Sequence, residues 1–71
     1  MPREFSVVIE RDEDGFYVGS VPSLPGCHTQ ARSLDELMLR IREAIELHLD
    51  DPDRHDPQLE FVGVQRITVA A

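Results

Sequence analysis

The 71-residue sequence predicts an α+β fold of element order β-β-β-α-β, a four-stranded mixed sheet with one helix on one face. Three observations predict it. Short runs in which apolar and polar residues alternate flank turn residues, which is the period of half-buried strands. Between residues 33 and 51 the apolar positions instead recur at three and four residues, the period of an amphipathic helix. A final run, residues 59–70, is again rich in β-branched residues after a connection with two prolines.

The first strand spans residues 4–10, with Phe5, Val7 and Ile9 on one side and Glu4, Ser6, Val8 and Glu10 on the other. Asp12-Glu13-Asp14-Gly15 is turn chemistry, because glycine takes a positive φ without steric cost. Residues 16–21 return as the second strand, with Phe16 and Val18 expected inward and Tyr17 and Val21 outward, and Pro22 stops it. After the turn Pro22-Ser23-Leu24-Pro25-Gly26, residues 27–32 form the third strand. Its small Cys27, Thr29 and Ala31 point inward, and His28, Gln30 and Arg32 point outward.

Ser33-Leu34-Asp35-Glu36 is a capping box: the serine hydroxyl accepts from the Glu36 amide, and the Glu36 carboxylate reaches back to the Ser33 amide. Leu34, Leu37, Met38, Ile41, Ala44, Ile45, His48 and Leu49 then fall on one helical stripe. The helix should end near Asp50-Asp51-Pro52, since a residue before proline avoids helical geometry. Residues 51–58 form a polar connection. In the last strand, residues 59–70, Leu59, Phe61, Gly63, Ile67 and Val69 share one face and Val62, Val64, Arg66 and Thr68 the other. A right-handed crossover makes this strand parallel to the first and gives the sheet order 3-2-1-4. The whole chain, residues 1–71, reads as one domain.

Fourteen acidic residues against seven arginines, with no lysine, give a net charge of −7. Such a field repels phosphate backbones, so direct nucleic-acid binding is not expected. It also suits electrostatic steering toward a basic partner, with Asp12, Glu13 and Asp14 as the steering candidates. One cysteine excludes an intramolecular disulfide, and no secretory leader or membrane-spanning run is evident; a soluble, cytoplasmic protein is expected.

Catalytic chemistry finds little support. Asp12, Glu13 and Asp14 with Asp35 suggest a magnesium site, but three of them share one exposed turn where Asp and Gly serve the backbone. Cys27 and His28 are adjacent on a strand and point to opposite faces, so they are neither nucleophile and base nor two ligands of one metal. His55 has no second ligand at zinc spacing, and His48 sits at the helix C-terminus, where the dipole favours a cation. No enzyme, metal or cofactor is expected.

Residues 10–49 read E-R-D-E-D-G-F-Y-V-G-S-V-P-S-L-P-G-C-H-T-Q-A-R-S-L-D-E-L-M-L-R-I-R-E-A-I-E-L-H-L. This string, with its D-x-D-G-x-Y/F core followed by P-x-L-P-G-C-x-T and S/T-L-x-E-A/L, resembles the N-terminal domain of HicB-type antitoxins. The resemblance implies a truncated RNase H-like fold and a HicA-type toxin as partner, a small RNA-cleaving protein. HicB-type proteins usually continue into a DNA-binding segment. This sequence stops at Ala71, so DNA autoregulation by this chain alone is not expected. The alternative function is a solitary interaction or regulatory domain with no toxin partner. A third is a metal-dependent nuclease on a degenerate RNase H-like fold.

One helix covers one face of a sheet. The other face is expected to present Val8, Tyr17, Val21, Val62 and Val64 among polar residues, with His28, Arg32 and Arg66 beside them. Leu39 and Leu47 lie on the outer side of the helix as further contact candidates. A homodimer through the uncovered face or the last edge strand is expected, because so small a domain buries little of its surface.

Overall fold

The computed structural model describes residues 3–55 and 59–70. Its regular elements are β1 (Val8–Arg11), β2 (Tyr17–Ser20), β3 (His28–Ala31) and α1 (Leu34–Asp50). The three strands form an antiparallel sheet in the order β1-β2-β3. The α+β class, the order of these four elements and the single helix agree with the sequence reading.

The β1–β2 hairpin turns on Asp12. Its Oδ1 accepts from the amides of Asp14 (3.0 Å) and Phe16 (2.9 Å), and Gly15 takes φ 88°. The second reversal buries a side chain. The Val21 amide donates to the Cys27 carbonyl, and the amides of Leu24 and Cys27 close the loop on Val21 and Leu24. This pulls Leu24 into the core at 2% exposure, though the sequence marked it only as part of a turn.

The strand register settles which face is which. Ile9, Gly19 and Thr29 are cross-strand partners, as are Arg11, Tyr17 and Ala31. A Cβ on Gly19 would lie 3.4 Å from both Leu37 methyls, so this set faces the helix. Tyr17 and Val21 therefore point toward the helix and Phe16 and Val18 away from it, the reverse of the expected orientation. Side chains alternate strictly along a strand, and a misassigned parity exchanges both faces at once. Gly19 decides the parity, because the helix approaches most closely where a side chain is missing.

Val21, Leu24, Cys27 and Ile41 form the buried cluster, with Phe5, Val7, Ala44, Ile45 and Leu49 packed around it. Leu37, at 0% exposure, is the best-buried large side chain, and such burial contributes roughly 1.5–3 kcal/mol. Leu34 and Met38 were expected on this stripe but lie on its flanks and remain exposed. At the N-terminus the Ser33 Oγ accepts from the Glu36 amide at 3.1 Å. The Glu36 carboxylate pairs with Arg40 at 2.7 Å, so the two side chains form half of the expected capping box and one i,i+4 bridge. The helix stops at Asp50, and Arg54 Nη1 donates to the Leu49 carbonyl beyond it.

Residues 59–70 form no strand and make no hydrogen bond to the other described residues. All are exposed, and their large apolar side chains range from Phe61 at 39% to Val62 at 90%. The sheet within this chain thus has three described strands where four were expected. The preceding connection falls partly on residues 56–58, outside the described residues. With the arm standing clear, the radius of gyration is 13.8 Å, against about 11 Å for a compact chain of this length.

Candidate interaction surfaces

The face of the sheet away from the helix is open. Val8, Phe16 and Val18 are half-buried there, and Glu10, His28, Gln30 and Arg32 are exposed around them. The Arg32 guanidinium lies 5.4 Å from the Phe16 ring centroid, which shields part of that ring with a cation. Of the contact candidates read from the sequence, Val8, His28 and Arg32 stand on this face. Phe16 and Val18 join them, although the sequence reading placed both in the core. Tyr17 is on the helix side, with the Arg11 guanidinium 5.4 Å from its ring, and Val21 is 2% exposed inside the core. Neither belongs to the open face.

Leu39 and Leu47 are exposed at 67% and 73% on the outer side of α1. They lie two helical turns apart and point away from the sheet. Val62, Val64 and Arg66 are exposed too, but on the arm rather than on the sheet.

A second surface lies on the helix side. α1 packs against β3 and β2, and its backbone stays clear of β1. It therefore overhangs an unsupported edge, where Ile9 is 44% exposed although its side chain is on the helix side. An open groove runs along this edge between Phe5 and the helix residues Met38, Ile41, Ile45 and Leu49, with Arg3, Arg42 and Glu46 at its rim.

The steering candidates divide by role. Asp12 is committed to the turn, whereas Glu13 and Asp14 are exposed and their carboxylates carry no turn bond. Cys27 is buried, and desolvation raises its thiol pKa, which suits a neutral core group rather than a reactive thiolate. Among the described residues, no three His, Cys, Asp or Glu side chains are grouped to hold a metal ion, and no helix is long and apolar enough to cross a membrane.

A UPF0150 protein from Archaeoglobus fulgidus is 61% identical over 66 residues, covering 93% of this chain and 94% of that protein. Another, from Synechocystis, is 49% identical over 67 residues, covering 94% and 96%. An uncharacterised 14.9 kDa protein of Haemophilus phage HP1 is 40% identical over 55 residues, which are 78% of this chain and 41% of the phage protein. Residues 5–65 match the family described as the HicB-like antitoxin of bacterial toxin-antitoxin systems, so the chain belongs to the HicB-like antitoxin family.

Proposed function

We propose that this chain is an antitoxin that binds and neutralises a HicA-type, RNA-cleaving toxin. The family match over residues 5–65 carries the reading. The geometry supports a binding role: the sheet face away from the helix offers contact area, with a half-buried apolar centre of Val8, Phe16 and Val18 ringed by Glu10, His28, Gln30 and Arg32. The net charge of −7 favours a basic partner, and a protein that grips RNA needs a basic surface. On this reading the antitoxin acts in the cytoplasm as one domain without a cofactor. It occludes the toxin's RNA-binding surface and does not contact nucleic acid itself. Its working unit is a homodimer in which a fourth strand completes the sheet in the order 3-2-1-4, the truncated RNase H-like arrangement.

Co-expression with the product of the adjacent gene tests the reading. The expected outcome is relief of growth arrest and co-purification of a complex, weakened by Val18→Lys on the open face. Growth arrest that persists without any complex would overturn it in favour of a solitary interaction domain.

A further inference from the structure

We propose that residues 59–70 are an exchanged arm. In a pair of chains, each arm lies along the free edge of the other's β1 and covers the groove between Phe5 and the helix residues Met38, Ile41, Ile45 and Leu49. This names the contact of the homodimer and does not depend on which toxin is bound.

The donor is unsatisfied. Residues 59–70 carry Leu59, Phe61, Val62, Val64, Ile67 and Val69, all exposed, with Ile67 at 83% and Val69 at 73%. A β-branched, apolar segment with free amides and carbonyls is a template for strand pairing. Twelve residues in strand geometry reach about 40 Å, enough to follow an entire sheet edge. Alternation sets Leu59, Phe61, Ile67 and Val69 on one side, so a single strand presents all four to one groove.

The acceptor is unsatisfied on the same molecule. Among the described residues β1 pairs only with β2, which leaves its other edge without ladder bonds from them. The helix backbone stays clear of β1, and Ile9 and Met38 remain exposed on that side. A strand beside β1 would satisfy the edge and cover these side chains together.

The second copy is the occupant that fits. Residues 59–64 line a shallow cleft beside Val8, Pro22 and Ser23 of their own body, and beyond it Ile67 and Val69 stand exposed. Within residues 59–70 the only charges are Glu60 and Arg66, so the arm is neutral although the chain carries −7. An apolar, neutral strand enters an apolar groove without bringing the acidic surfaces into register. Because donor and acceptor occur once per chain, a two-fold exchange uses both and leaves neither over, which closes the assembly at two.

Sedimentation equilibrium of the whole protein alone, at micromolar concentration, tests the exchange. The expected mass is that of two 8.1 kDa chains. Ile67→Asp with Val69→Asp should give a monomer that keeps its helical circular dichroism, and Ile45→Asp in the groove should do the same. Mixing the arm variant with the groove variant should restore dimers, because one intact arm then meets one intact groove. A monomeric wild-type protein would overturn both the homodimer and the exchange. A wild-type dimer that survives the arm substitutions, or variants that fail to complement, would overturn the exchange and move the interface elsewhere.

Discussion

Gly19 lies directly beneath Leu37: a Cβ built on the glycine would stand 3.4 Å from Leu37 Cδ1, 3.4 Å from Leu37 Cδ2 and 3.4 Å from Val7 Cγ1. One methyl fits there in van der Waals contact; a branched side chain does not. Gly19→Ala should therefore fold with little loss, whereas Gly19→Val should lose about 1–3 kcal/mol by forcing the helix off the sheet. Urea denaturation of the two variants checks this, and equal stability would refute the close approach.

Asp12 supports a different prediction. Its carboxylate holds the amides of Asp14 and Phe16 at 3.0 and 2.9 Å, so its role is to fasten the hairpin. Asp12→Ala should cost about 1 kcal/mol, from two exposed bonds to a charged acceptor. Glu13→Ala and Asp14→Ala should leave stability unchanged within about 0.5 kcal/mol, as surface substitutions do. If the acidic turn steers a basic partner, the latter two should slow association, most visibly at low salt.

Much of the fold was legible because local chemistry and global structure agree. Gly15, Ser33 and Pro52 mark a turn, a helix start and a helix end, each by a backbone requirement that needs no tertiary information. The faces of the second strand were not legible. Phe16 and Val18 are bulkier than Gly19 and look like core residues, yet the helix sits on the side where Gly19 leaves room. Leu24 was missed for a related reason: two flanking prolines and a glycine announce a loop, while the leucine between them anchors that loop to the core. The apolar alternation of residues 59–70 signals a strand, yet among the described residues this segment forms none. For the interaction surface, the outward positions on the first and third strands were readable; those on the second required the register.

The N-terminus of α1 separates two contributions that occupy neighbouring residues. Ser33→Ala removes the hydroxyl that accepts from the Glu36 amide and should cost about 1 kcal/mol. Glu36→Gln breaks the bridge to Arg40, but both side chains are about half exposed, at 43% and 53%. Water screens such a pair, and its loss should stay below about 1 kcal/mol. Arg40 also donates to the Gln30 carbonyl at 3.0 Å and ties the helix to β3. Arg40→Ala should therefore exceed Glu36→Gln, and a double-mutant cycle through Glu36→Gln and Arg40→Ala would report the bridge alone.

Cys27 gives the alkaline limb of the stability profile. Burial raises its thiol pKa above the ordinary 9.0, because the core disfavours the thiolate. The folded chain thus holds this proton more tightly than the unfolded chain. The resulting stabilisation is complete below pH 9.0 and is lost as pH climbs through the higher folded value, since the unfolded chain then gains by releasing the proton. Thermal midpoints followed from neutral pH into that alkaline window should fall more steeply for the wild type than for Cys27→Ala. The variant itself begins about 1 kcal/mol lower, from the small hole left among Val21, Leu24 and Ile41. Iodoacetamide should alkylate the native thiol slowly and the urea-unfolded thiol fast. Rapid labelling of the native protein, or parallel pH profiles for the two chains, would show that Cys27 is not the buried neutral group that this packing makes it.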